Sequence, residues 1–158
     1  TFSGNAPIPE DLFWGISSEI DDAALERVTD VLGPMRPRLI RVRDADRELY
    51  HAAASVSSNY VALLVTMAHD LYVRAGIDSA TAREVVASFI DQVNRNAVEV
   101  GGRGAITGPI VRGDTEVVRG HIEAIERRAP EWLPLALALA RATAMRVGTE
   151  LGGLEETQ

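Results

Sequence analysis

The stretch Glu48–Tyr72, ELYHAAASVSSNYVALLVTMAHDLY, decides how the rest of the chain is read. Between Glu48 and Asp70 it has no Asp, Glu, Lys or Arg, the composition of a segment buried in protein. The run is about as long as a membrane span, but insertion would carry His51, Ser55, Ser57, Ser58 and Asn59 into lipid. A buried helix in a soluble protein is therefore the expectation. Asp44 or Asp46 can cap this helix and Gly76 can end it, which makes it about 45 Å long. At about 100° per residue, His51, Ser55, Ser58, Asn59, Thr66 and His69 share one stripe about 100° wide. Ala52, Ala53 and Ala54 let another group approach the helix closely.

The chain around this helix bounds the possible chemistry. Its 158 residues suit one domain or one and a half. A formal net charge of -7 opposes nucleic acid and anionic membrane as partners. Three Phe, three Tyr and two Trp, with no basic run among them, make a poor stacking platform for single strands. There is no Cys, and all sixteen basic residues are Arg, so no thiolate and no lysine Schiff base can come from this chain. No secretory signal is visible, and the expected location is cytoplasmic.

Residues 1–45 differ in style from the rest of the chain. DLFWGISS (Asp11–Ser18) reads as a strand, and DDAALERVTDVLG as a helix capped by Asp21 or Asp22 and stopped at Gly33. RPRLIRV (Arg36–Val42) reads as a second strand. Strand–helix–strand is the signature of a parallel sheet with a crossover helix. Two strands and one helix cannot cover their own faces. The expectation is the last piece of a larger α/β domain, the alternative a small edge sheet leaning on helices.

From Asp44 onward there are only helix signals. Asp78 caps a second helix with Ala82, Val85, Val86, Phe89, Val93 and Ala97 at helical spacing. GGRGAITGPIVRG (Gly101–Gly113) interrupts it. Asp114 caps a third helix with Val117, Val118, Ile122 and Ile125 on one face, and LALALARATAM makes a fourth. Pro130 and Pro134 suit first-turn positions, and the last ten residues read as a frayed tail.

Two groups of residues stand out. His51, Ser55 and Asn59 fall at i, i+4 and i+8, so three polar side chains point the same way. Either they hydrogen-bond to a neighbouring helix, as buried polar groups normally do, or they serve a ligand. Thr107, Gly108, Pro109 and Arg112 lie just before a helix N-terminus, where backbone N–H groups attract anions. Arg112 offers a planar fork for a carboxylate or phosphate. The plain alternative is a helix connection with Asp114 as cap. Gly101–Gly104 is no dinucleotide fingerprint, because it comes after a helix and has the wrong spacing. His51, His69 and His121 make no tight metal-ligand cluster, and no nucleophile elbow is present.

Tyr50-His51-Ala52-Ala53-Ala54 with Ser58-Asn59, then Ile106-Thr107-Gly108-Pro109-Ile110 and Arg112-Gly113-Asp114, resembles the C-terminal half of an uncharacterised Rossmann-fold oxidoreductase-like family. Such proteins join a dinucleotide-binding domain to a helical domain of unknown function. They are similar in architecture to ketopantoate reductases, pyrroline-carboxylate reductases and β-hydroxyacid dehydrogenases. The resemblance implies a mainly α chain. A helical bundle like the C-terminal domain of 6-phosphogluconate dehydrogenase would come after a strand–helix–strand remnant of a Rossmann-type domain. Residues 1–45 would end the NAD(P)-binding domain, and residues 46–158 would form the substrate and dimerisation domain.

By the ketopantoate reductase pattern of Lys, Asn and Asn at successive i+4 steps, His51 stands at the lysine position, Ser55 at the first asparagine and Asn59 at the second. The Thr107-Gly108-Pro109 loop is similar to the substrate-side loop of pyrroline-carboxylate reductases. The implied cofactor is NADP or NAD, bound mainly upstream of this chain. The implied partners are a small carboxylate-bearing ketone or imine and a second copy of the chain. Against this stand a non-enzymatic ligand-binding or regulatory dimer module, and a plain bundle that only assembles subunits.

Overall fold

The computed structural model describes residues 10–102 and 104–152. The first nine residues, Arg103 within the glycine-rich run, and most of the expected frayed tail (153–158) lie outside them. The protein is mainly helical, with a short two-stranded parallel sheet ahead of the helices. It divides into two compact units, residues 1–63 and 64–158.

In the first unit, β1 (Phe13–Ser17) and β2 (Arg38–Val42) pair in parallel, with Gly15 opposite Ile40. The crossover carries α1 (Asp22–Leu32). Asp21 caps it, accepting a hydrogen bond from the Ala24 N–H at 2.6 Å. Arg38 lies over the Phe13 ring, 4.2 Å from its centre, and so ties the paired first positions of the two strands. Gly33 does not stop α1 by turning left-handed. It keeps helical angles and enters a 3-10 turn with Pro34, and the left-handed residue is Arg36, at φ 49°. The Arg36 guanidinium pairs with Glu10 and Asp11 at 3.1 and 3.2 Å. Gly33 thus keeps α geometry although a proline comes after it, against the usual preference of a pre-proline residue for extended backbone.

A one-turn 3-10 segment, Asp44–Asp46, leads into α2 (Arg47–Ser55). Neither aspartate caps α2 through its side chain; Asp46 accepts from Arg43 Nε at 2.6 Å instead. The long helix is not α-helical throughout. A π turn spans Val56–Tyr60, and α3 (Val61–Arg74) continues beyond it. Ser57 and Ser58 donate their hydroxyls to the carbonyls of Ala53 and Ala54 at 2.9 and 2.7 Å. Those carbonyls are the ones a regular α-helix offers to the backbone N–H groups of the same two residues, and such competition distorts helices. The expected burial of this helix fails over its first half. Leu49 is 74% exposed and Tyr60 60% exposed in this chain. An apolar, uncharged composition shows that a surface favours being covered, but it does not identify the covering group.

The start of α2 is seated on the sheet. A β-carbon built on Gly15 would lie 2.7 Å from ring carbons of Tyr50, so the tyrosine occupies the space that any other residue's side chain would need.

In the second unit, α3 ends at a left-handed Gly76, φ 102°. Helix α4 (Ser79–Val100) starts on Asp78, whose carboxylate accepts from the N–H groups of Ala80 and Thr81 at 3.1 Å. Its expected apolar face splits: Ala82 and Val86 are buried, whereas Phe89 and Val93 are more than half exposed. Three helices complete the unit, α5 (Pro109–Arg112), α6 (Thr115–Arg128) and α7 (Leu133–Val147). Helix α7 turns Ala140 and Ala144 against Val118 of α6 and Leu151, with Ile110 packed on this cluster.

The C-terminal ends of α3 and α6 brace each other. Arg74 donates to the Arg128 carbonyl at 2.6 Å, Arg128 donates back to the Arg74 carbonyl, and Arg74 pairs with Glu131. Trp132 Nε1 donates to Asp70 at 3.2 Å.

Two of these local contacts can be checked directly. Gly15→Ala forces the Tyr50 ring off β1 and costs about 1–3 kcal/mol, the range for overpacking. The penalty shrinks in a Tyr50→Ala background, and equal penalties in a denaturation double-mutant cycle would reject the contact. At Asp78, the Thr81 hydroxyl and backbone N–H, then the Ala80 N–H, hold the carboxyl below its ordinary value of 3.8. Because the folded value is the lower one, this stabilisation is present above the ordinary value. It is lost as the pH falls through the folded value. Asp78→Asn, which keeps a capping oxygen, should flatten that part of the acid limb of the melting temperature. Asp78→Ala should lower the melting temperature at neutral pH.

Candidate functional site

In the first unit the expected trio sits on exposed helix. His51 and Asn59 are exposed and Ser55 is half-buried. Among the described residues, no hydrogen bond or ion pair uses any of the three side chains. Ser57 and Ser58, in the same run, satisfy their hydroxyls within the helix. Between His51 and Asn59 the polar side chains therefore divide into two that are internally bonded and three without a bond among the described residues. The π turn affects the second step of the trio. In an α-helix, four residues overshoot a full turn by about 40°. A π turn holds more residues, so four steps fall short of a full turn and keep Asn59 near the line of His51 and Ser55.

The same unit contains the carboxyl ends of two parallel strands, the edge at which open parallel sheets bind ligands. Asp44 lies just past β2 there. The Ser17 hydroxyl at the end of β1, and after it Arg47, hold the Asp44 carboxyl below its ordinary value. Ser17 Oγ also accepts from the Glu19 N–H at 3.0 Å. The sequence presents Asp44 only as a helix cap and gives no sign of Ser17.

These residues do not fit the phosphates of a dinucleotide. The turn from β1 into α1 is Ser18–Asp21, without the glycines that allow close approach. The Asp21 carboxylate already occupies the N-terminus of α1. No phosphate site for NAD or NADP is built from the described residues.

In the second unit, the Thr107 loop is organised differently from the expectation. Gly108, at φ 101°, precedes a single helical turn, Pro109–Arg112, so there is no long helix whose N-terminus opens on the loop. Helix α6 begins later, and Asp114 makes no side-chain cap on it. The carboxylate instead accepts from Arg112 Nε at 2.9 Å. A neighbouring cation outcompetes the backbone N–H groups for Asp114, and Arg112 keeps its two Nη groups for other partners.

Thr107 and Pro109 line a cavity of about 620 Å³ in this unit, together with residues of α3, α4, α6 and α7. Its wall is apolar except for Thr107, His121 and Thr143. His121 escapes a sequence reading because it belongs to no ligand cluster. Its position offers a signal, since it stands within the apolar α6 series Val118, Ile122 and Ile125, where a lone polar residue faces the same side. His69 is engaged elsewhere: Nε2 lies 3.2 Å from Ser79 Oγ and Nδ1 lies 3.8 Å from Asp70. Among the described residues, no three potential metal ligands gather, and no helix is long and apolar enough to cross a membrane.

Comparison with known families matches residues 12–143 to the family described as Domain of unknown function (DUF2520). The match spans most of the chain, and the chain belongs to that family. Comparison with curated proteins and with solved structures finds no match.

Because His51, Ser55 and Asn59 have no partners to lose, replacing each with Ala should change stability by less than about 0.5 kcal/mol. A loss above about 2 kcal/mol for the triple variant, measured by denaturant unfolding, would assign the trio to packing instead.

Proposed function

We propose that this chain is the substrate-binding and dimerisation part of a cytoplasmic NAD(P)-dependent oxidoreductase acting on a small carboxylate-bearing ketone or imine. The observation that carries the reading is the unbonded row His51, Ser55 and Asn59, which crosses a π turn in the same unit as the carboxyl ends of two parallel strands. π turns within α-helices recur at functional sites. In this reading the dinucleotide is bound upstream of the chain, because the turn into α1 does not fit its phosphates.

This chain's own part is to position substrate and move a proton. His51 donates a proton to the oxygen or nitrogen of the substrate as negative charge develops there. The Ser55 hydroxyl and the Asn59 amide orient that atom. In the second unit, Thr107, Gly108 and Pro109 form a substrate-side loop in this reading. Self-association is supported by large apolar side chains in the open on the long helix, Leu49, Val56 and Tyr60 among them.

A second reading, a ligand-binding or regulatory dimer module without turnover, is favoured by the cavity in the helical unit. Titration of NADPH and NADH into the longest native protein containing this chain, beside the 158-residue chain, separates the two. Binding by the longer protein alone supports the oxidoreductase. Binding by neither, with a ligand that raises the melting temperature, supports the module. In an active protein, His51→Ala should lower turnover roughly 10²–10⁴-fold, the scale of general acid catalysis, with nucleotide affinity unchanged. Unchanged turnover would remove His51 from this role.

A further inference from the structure

We propose that the cavity of the helical unit binds the apolar body of an organic acid, with the acid's carboxylate beside His121. The proposal rests on the proposed function at one point, that the Thr107 loop faces substrate, and it names the substrate class as acids with a bulky apolar group.

The cavity, at about 620 Å³, falls within the range of small-molecule sites. Small residues make the room. Helix α4 contributes Ala97, and α7 contributes Ala136 and Ala140, at positions where a closely packed bundle would carry larger side chains. The lining selects against cations. Acidic residues outnumber basic ones in this chain, 23 to 16, yet among the described residues no Asp or Glu lines the cavity.

A smaller cavity of about 260 Å³ shares His121 and Ile125 as walls and is flanked by Arg74 and Arg128. Glu131 offsets Arg74, whereas Arg128 donates to a carbonyl and joins no ion pair among the described residues. One guanidinium without an acidic partner among the described residues, Arg128, thus lies on the His121 side, and the apolar floor lies on the other. A concave floor of small residues suits an inserted apolar group. The self-association surface on the long helix is different, because its large side chains project outward.

The test is isothermal titration of the full chain with straight-chain carboxylates from acetate to octanoate, and with 1-octanol. Each added methylene should tighten binding about fourfold until the cavity is full. Octanoate should bind about tenfold tighter than 1-octanol, and His121→Gln, at an exposed position, should erase that preference while octanol still binds. Ala136→Leu should weaken octanoate at least tenfold. Leu139→Trp at the exposed rim makes the same test without touching buried packing.

Affinity independent of chain length, or unaltered by both filling variants, overturns the proposal. So does a dimer that the filling variants dissociate and that excludes octanoate, since the cavity would then belong to the second copy. Octanoate binding without nucleotide binding by the longer protein would remove the oxidoreductase reading and leave this one. Nucleotide binding without octanoate binding would do the reverse.

Discussion

The helical unit is built on small side chains, and most of its properties derive from that constraint. The only large side chain wholly buried among the described residues is Leu151. The rest of the buried set is alanine, valine and one methionine. Burial stabilises in proportion to apolar area, at roughly 25 cal/mol per Å², so an alanine interior contributes little per residue. Cohesion then depends more on the helix ends. Asp78 caps α4, and the arginine exchange between Arg74 and Arg128 satisfies carbonyls at two C-termini that would otherwise lack partners. The same small residues leave room for the open cavity of about 620 Å³. A core of leucines would have closed it.

The first unit has the opposite surplus. Its apolar side chains are large but stand in the open, and its polar side chains are unevenly satisfied. Tyr50 is fixed by lying where Gly15 has no β-carbon, which sets the start of α2 and thereby the residue after it, His51. The serine hydroxyls that bond back at Ala53 and Ala54 accompany the π turn. Seat and turn together fix one end and the pitch of the row His51, Ser55 and Asn59. A ligand group meeting this row finds donors and acceptors that need not first break other bonds, the condition for preorganised recognition.

Local chemistry is legible in the sequence, and competition between partners is not. Asp21 and Asp78 read as caps and are caps, because each contact spans only two or three residues. The parallel strand pair is foreseeable from alternation and a short crossover. Asp114 misleads because Arg112, two residues away, is a stronger partner than the backbone. Gly33 misleads because the chain runs on through a 3-10 turn and turns left-handed only at Arg36. Burial of the long helix cannot be judged from composition, which records a preference and not an outcome. The π turn depends on where two hydroxyls bond, which no periodicity reports. The cavity is invisible for another reason. It is the sum of small residues on several separated segments, none unusual by itself, and only their convergence gives His121 a role.

The three histidines complete the division of labour. Without lysine or cysteine, proton chemistry near neutral pH in this chain falls first to imidazole. His69 is held against Ser79 and beside Asp70, so its ring works as a brace between α3 and α4. His121 lines two cavities with arginines on one side and an apolar floor on the other, an environment that suits holding an anion. His51 has neither brace nor wall. Among the described residues His69 is hydrogen-bonded, whereas the rings of His51 and His121 are exposed and can meet a ligand without first giving up a bond.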